Sequence, residues 1–472
     1  MMAGRGRTFR SGGCEGSDQV SGNPAQRGAK VGVVGAGSSG IAACQVLQAR
    51  GIAFDCFEMG SEVGGLWRYD NDNGLSSAYR ALHINSSRYM MEYRSFGMPD
   101  DYPDYPHHTQ IARYFDAFVD HFGFRDRIRF RTEVVAVEPA GGRWRVSWRG
   151  SDGERGTDSY DAVLVAAGHH WQPRWPDPPF PGEFAGREMH SHHYRSAEEM
   201  AGDRVLVVGF GNSAMDIACE TSHVSRATYL SVRRGGWVVP KYLHGKPTDQ
   251  LGSELVTRLP FRLLRFLYAR QVIAVQGRPE AYGLPKPDHR LGEAHPTVSD
   301  EILSRIGHGR VAPKPNIERL EGGRVRFVDG SVEEVDTIVY CTGYDVRFPF
   351  LARSIIDTED NRVSLYRRVV HPDHPGLFFI GLIQVLGAVM PLAEAQSEWV
   401  ADVIEGKAPL PSPREMKRII AREDRRMRKR YAASRRHTMQ VDFYQYLRTI
   451  RREQRRGGLG SVIARHSHEF GI

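Results

Sequence analysis

Cysteine is scarce: five in 472 residues, Cys14, Cys44, Cys56, Cys219 and Cys341, with no CxxC among them. That spacing excludes a disulfide framework and a cysteine-held metal, and it predicts reduced thiols in a cytoplasmic setting. Long apolar runs are missing too. No stretch approaches the roughly 20 consecutive apolar residues that span a bilayer, and residues 1–29 hold no apolar signal core. Those first residues, rich in Gly, Ser and Arg, are expected to be a disordered tail. Acidic residues are in deficit, 56 Asp+Glu against 64 Lys+Arg, for a net charge of +8. The excess is local, because Arg414–Arg456 carries 16 basic and 5 acidic side chains, more than the whole surplus. The body is therefore mildly acidic and no nucleic-acid partner is expected of it. Residues 413–472 read as a basic, solvated helical segment.

What is present begins at Val31–Gly40, VGVVGAGSSG, a β-branched run that meets a glycine turn and then a helical apolar pattern. In such a strand–turn–helix Gly35 permits the turn, Gly37 lets backbone approach a pyrophosphate, and Gly40 lets helix pack on strand. Ser38 and Ser39 open a helix whose bare N–H groups and positive dipole end suit phosphate. A second apolar run ends at Glu58, 23 residues beyond Gly35, where a carboxylate meets adenosine ribose hydroxyls. Beyond it, Gly64-Gly65-Leu66-Trp67 fits backbone laid beside a flat ring, and equally a plain Gly-Gly turn.

A second fingerprint follows strand-like Arg204–Val208: Gly209, Gly211, Asn212, Ser213 and, in the third glycine position, Ala214. Where the first unit has Glu58, this one has Arg233 and Arg234, which suit a 2′-phosphate through charge-assisted bonds. The first site should take FAD or NAD, and the second NADP. Each unit is followed by a turn-containing β segment and an apolar strand ending in glycine, Arg143–Gly168 and Arg324–Gly343. The fold expected is α/β, with two Rossmann-like dinucleotide-binding units. Between Trp237 and Asp300 lies an insertion of about sixty residues that a doubly wound fold does not require. Its stretch Arg258–Arg270 places Arg258, Arg262 and Arg265 on one face, and a helix packed on the domain is expected over a membrane-surface helix. Thr109–Phe122 and Met390–Val403 read as helices.

Between the fingerprints, Phe184–Arg195 (FAGREMHSHHYR) matches FxGxxxHxxx(Y/F)(K/R). By this motif and its placement the chain resembles class B flavin-containing monooxygenases. Gly64–Tyr69, Ile84–Ser87, Thr342–Tyr344, Leu382–Ala388 and Arg430–Gln440 also look like segments of the animal-type branch. Arg195 stands where lysine is more frequent, Cys341 where alanine is usual, and the animal enzymes' C-terminal apolar anchor is missing. Tyr194 stands where the Baeyer–Villiger branch has tryptophan, which favours heteroatom oxygenation.

The resemblance implies an FAD domain from 30–195 and 336–412, with an NADP domain, 196–335, inserted into it and carrying a helical insertion at about 240–300. It implies an N,N-dimethylaniline monooxygenase-like activity. NADPH reduces FAD, O2 adds to form a C4a-hydroperoxyflavin, and one oxygen passes to a soft N or S atom of a small molecule. By motif position, Asn85 is the catalytic amide beside the flavin. Ser86, Gly65, Leu66 and Trp67 contact FAD, and Gln384 lies near the ring or substrate. Baeyer–Villiger oxygenation of ketones and an uncoupled NADPH oxidase are the alternatives, whereas a disulfide reductase lacks its cysteine pair here. His190, His192 and His193, with His169 and His170, read as a hinge rather than a metal site, so no metal is expected. Weak membrane-surface contact and a homodimer stay open.

Overall fold

The structure, a computed structural model, describes residues 28–251, 261–430 and 438–469. Most of the expected tail, and Arg258, lie outside the described residues. Two five-stranded parallel sheets share one layout. In the first, the order is Leu377–Phe379, Ala162–Val165, Lys30–Val34, Ala53–Phe57, Ile128–Arg129. In the second it is Arg187–His190, Thr337–Tyr340, Arg204–Val208, Ala227–Ser231, Val311–Lys314. Each fingerprint strand occupies the centre of its sheet, so its glycine turn emerges at the carboxyl edge where α/β sheets bind ligands. The second sheet is drawn entirely from chain lying between Ala162–Val165 and Leu377–Phe379, which makes it an insertion into the first.

The central strands are near-continuous Val/Ile/Leu runs because both faces are covered. Helix Ser38–Ala49 packs on one face of the first sheet and against helix Met390–Ile404. Helix Asn212–Val224 does the same service for the second sheet through Ala214, Ile217 and Ala218, all fully buried. Antiparallel strands follow each unit where the sequence placed turns: Thr132–Ala140, Arg143–Gly150 and Arg155–Tyr160 form one sheet, and Ile317–Gly322, Arg324–Phe327 and Val332–Glu334 form another that Gly182–Phe184 extends in parallel. His108–Phe122 is helical as its apolar spacing predicts, with Ile111, Phe115 and Phe118 fully buried.

Three expectations need correction. The second sheet takes Arg187–His190 and Thr337–Tyr340 from stretches expected in the FAD domain, so the inserted unit is wider than 196–335, because parallel pairing on Arg204–Val208 recruits strands from both flanks. The basic C-terminal stretch is two helices, Pro413–Arg430 and Phe443–Glu469, joined through a strand, Gln440–Asp442, that pairs in parallel with Gln384–Leu386. It is no solvated appendage. Met416, Ile419, Ile420, Tyr446, Leu447 and Ile450 are buried in the main core, and Arg367 is ion-paired to Glu423 and to Glu453, the latter at 2.7 Å. The helix Phe261–Gln276 also departs from the expected facing. Arg265 turns inward to Glu293 at 2.6 Å, while Leu263, Phe266, Leu267 and Val275 are exposed. Among the described residues no helix is long and apolar enough to cross a membrane.

Candidate active site

Both fingerprints open into one cleft of about 2180 Å³. That is more than twice the volume of an ordinary small-molecule pocket. All the residues expected to touch FAD line it except Gly40, and all those expected to touch NADP except Ala214. These two exceptions are fully packed behind the turns. A Cβ on Gly40 would lie 1.8 Å from the Gly35 carbonyl oxygen, so its lack of a side chain is what lets the helix start against the strand.

The two helices that open on the cleft begin at Gly37 and Gly211, and neither has a side-chain cap or an acidic residue in its first turn. Their leading N–H groups are therefore left for a ligand. Gly35 and Gly209 have φ of +99° and +144°, and a Cβ on either would press on a backbone carbonyl of the neighbouring strand end, Ala166 or Cys341. Gly65 faces Gly37 across the cleft. A Cβ on Gly65 would meet the Gly37 Cα at 3.2 Å, and its φ of +54° is left-handed. The paired glycines thus bring two stretches of bare backbone together beside the uncapped helix end, with no side chain there to obstruct a ligand's phosphates.

Glu58 is buried, and its carboxylate accepts from the Ala36 N–H at 2.7 Å and the Gly60 N–H at 2.8 Å. Burial pushes its pKa up and these two bonds pull it back. Oε1 also accepts from the Asn73 side-chain amide at 3.4 Å, which leaves Oε2, bonded to Ala36, with a lone pair for a ribose hydroxyl. Asn85 lines the cleft and its amide makes no hydrogen bond among the described residues, so its two donors and its acceptor are available. Asp249, which sequence reasoning missed, approaches the same loop from the insertion. One of its oxygens accepts the Ser87 N–H at 2.6 Å, and the other is buried with no hydrogen-bond partner. Burial holds this carboxyl above the usual range. No motif in the sequence marks Asp249. Gln384 also lines the cleft, and its backbone N–H is taken by the Met439 carbonyl at 2.9 Å. Phe443 and Tyr444 bring the C-terminal segment to the same wall.

The insertion completes the second fingerprint as well. Val298 N–H donates to the Asn212 side chain at 3.0 Å, and the Thr297 hydroxyl to the Phe210 carbonyl at 2.5 Å. Arg233 and Arg234 are exposed at the cleft edge. Arg234 is held by Asp288, while Arg233 has no side-chain partner among the described residues.

The Phe184–Arg195 motif ties the two sheets together. Arg195 donates to the Ser76 carbonyl at 3.0 Å and reaches Asp70 at 3.3 Å, and its own carbonyl accepts the Arg80 N–H. Next to it, Tyr194 donates to Glu220 at 2.7 Å. His190 and His192 pack around the Tyr344 ring, with centroids 5.4 and 5.9 Å away. Burial drives both histidines, and His169, down to about 4, so all three are neutral near pH 7.

The profile of the "Flavin-binding monooxygenase-like" family matches residues 28–455. Rat flavin-containing monooxygenase 5 is 36% identical over 438 residues, covering 89% of this chain and 82% of the rat protein. Mouse dimethylaniline monooxygenase [N-oxide-forming] 2 is 35% identical over 436 residues, covering 89% and 81%. Among solved structures, S-allyl-L-cysteine S-oxygenase from Allium sativum superposes with a TM-score of 0.69 at 26% identity, covering 91% of this chain and 89% of that one.

Proposed function

The chain belongs to the flavin-binding monooxygenase-like family, which uses FAD and NADPH, and on that premise we propose how this cleft oxygenates a soft nitrogen or sulfur atom. The Gly37 end of helix Ser38–Ala49 would hold the pyrophosphate of FAD, and Glu58 its ribose. The Gly211 end of helix Asn212–Val224 would hold the pyrophosphate of NADPH, and Arg233 and Arg234 its 2′-phosphate. The observation that carries the reading is the pairing of two uncapped helix N-termini on one cleft, one backed by a buried carboxylate and the other by two guanidiniums. The flavin supplies the hydride and oxygen chemistry when bound. The protein's part is to align two rings and keep water out.

Asn85 is the polar group best placed for that alignment. Its neutral amide offers hydrogen bonds without offering an acidic proton to the reaction. Asp249 holds the loop that carries it. The substrate is a small molecule with an accessible amine or thioether, together with O2. Tyr194, engaged with Glu220, lies outside the cleft lining, so it acts by fixing the two sheets rather than by touching substrate. Exposed Leu263, Phe266 and Leu267 support a weak peripheral contact of helix Phe261–Gln276 with a membrane surface.

The test is stoichiometric. The purified holoprotein is reduced with NADPH under anaerobic conditions, mixed with oxygenated buffer, and offered a thioether, a tertiary amine or a ketone. One oxygenated heteroatom product per NADPH is expected with the first two. Ester formation from the ketone would move the assignment to Baeyer–Villiger chemistry, and peroxide equal to NADPH with every substrate would make the protein an NADPH oxidase.

A further inference from the structure

The insertion delivers a carboxylate to the arginine expected to hold the 2′-phosphate. Asp288 Oδ2 accepts from Arg234 Nε at 2.9 Å and from Nη2 at 2.6 Å. Its other oxygen, Oδ1, is bonded to His289 Nδ1 at 2.7 Å. The Trp237 indole in turn donates to the His289 carbonyl at 2.9 Å, which anchors this loop to the strand end that carries the arginines. The loop lies directly against this strand end: Gly235 bridges to Pro287, and a Cβ on Gly235 would meet the Pro285 carbonyl at 2.1 Å. His289 and Arg234 both hold the Asp288 carboxyl below its usual range, so it is charged near neutrality.

Two of the five N–H donors of Arg234 are spent on this carboxylate, and three are left for a phosphate. A fixed negative charge therefore stands on the far side of the guanidinium from any ligand it grips. Resting on the NADPH reading above, we infer that Asp288 is a specificity-determining residue that weakens the hold of Arg234 on a 2′-phosphate and so limits the preference for NADPH over NADH. The chemistry is simple repulsion. The 2′-phosphate carries close to two negative charges, and NADH carries none at that position. Asp288 and Arg234 are 43% and 56% exposed, so the repulsion is that of a solvated site and is screened by salt.

The probes are 2′,5′-ADP and 5′-AMP, which differ only by the 2′-phosphate, titrated calorimetrically into the FAD-loaded full chain. Asp288→Asn keeps an oxygen that accepts from Arg234 and removes the charge. It should bind 2′,5′-ADP about threefold to tenfold more tightly than the unaltered protein, with 5′-AMP unchanged. The gain should shrink as salt rises from about 0.05 to about 0.5 M. In turnover, KM for NADPH should fall while KM for NADH and kcat stay put. Unchanged or weaker 2′,5′-ADP binding in Asp288→Asn, or an equal shift with 5′-AMP, overturns the inference and leaves the NADPH reading intact. If the unaltered protein binds both probes equally, the NADPH reading falls first and this inference with it.

Discussion

The Tyr79 phenol donates to the Asp216 carboxylate at 2.5 Å, joining the loop after the first fingerprint to the helix of the second. Tyr79 also packs edge-on against Tyr194, with ring centroids 5.8 Å apart. Burial raises the Asp216 carboxyl, so it depends on that one strong donor. Tyr79→Phe removes the donor and leaves the acceptor, the costly way to break a buried bond, and should lower stability by about 1–3 kcal/mol. Chemical denaturation followed by fluorescence measures it. Adding Asp216→Asn should restore part of the loss, and a Tyr79→Phe protein as stable as its parent would show that the contact carries no weight.

Glu220, one helical turn beyond Asp216, gives a pH signature. Burial raises its carboxyl to about 7, above the unfolded value of 4.5. Between those two values the folded protein holds a proton that the unfolded chain has released. Stability from this group is therefore complete below about pH 4.5 and is lost as pH rises through 7, by up to about 3 kcal/mol before solvent relaxation reduces it. Glu220→Gln should flatten that slope in denaturation curves taken across the window. An unchanged slope would place the titration elsewhere.

How much of this could be read from the sequence depended on the range of the cause. Gly35, Gly37, Gly40 and Glu58 are legible because strand, turn and helix are local and backbone sterics admit few residues there. Arg233 and Arg234 are legible by analogy with Glu58, since equivalent strand ends face equivalent riboses. Asp249 and Asp288 were not legible. They come from an insertion without periodicity, and their neighbours, Ser87 and Arg234, are 162 and 54 residues away. The basic C-terminus misled for a related reason. Its charge dominates the composition, while Tyr446, Leu447 and Ile450, which dock it, are few and sit among arginines.

The first fingerprint separates glycines needed for folding from those needed for a ligand. A Cβ on Gly40 would lie 1.8 Å from the Gly35 carbonyl oxygen, whereas one on Gly37 would meet only the Gly65 Cα, at 3.8 Å. Gly40→Ala must push the helix off the sheet, and a loss of about 3 kcal/mol or more is expected, read as insoluble or early-melting protein. Gly37→Ala should melt close to the parent as apoprotein and purify with little flavin, since its methyl stands at the uncapped helix end proposed to receive the pyrophosphate. A flavin-replete Gly37→Ala protein would contradict the proposed path of the pyrophosphate.

Asn85 and Asp249 meet the cleft two residues and one hydrogen bond apart, through Ser87. If Asn85 aligns the reacting rings, Asn85→Ala should still bind FAD and oxidise NADPH, but most of the reducing power should appear as peroxide instead of product. Asp249→Ala leaves the Ser87 N–H unpaired and loosens the loop, so it should uncouple in the same direction and less severely. Asp249→Asn keeps an acceptor for Ser87 and should sit near the parent. Because Asp249 acts through Asn85, the double variant Asn85→Ala/Asp249→Ala should be no worse than Asn85→Ala alone, the non-additivity expected of residues that work as a unit. Peroxide released per NADPH, measured across the four variants, decides it. Additive losses would separate the two roles, and Asp249→Asn as uncoupled as Asp249→Ala would mean that the charge itself, rather than the hold on Ser87, is what the site requires.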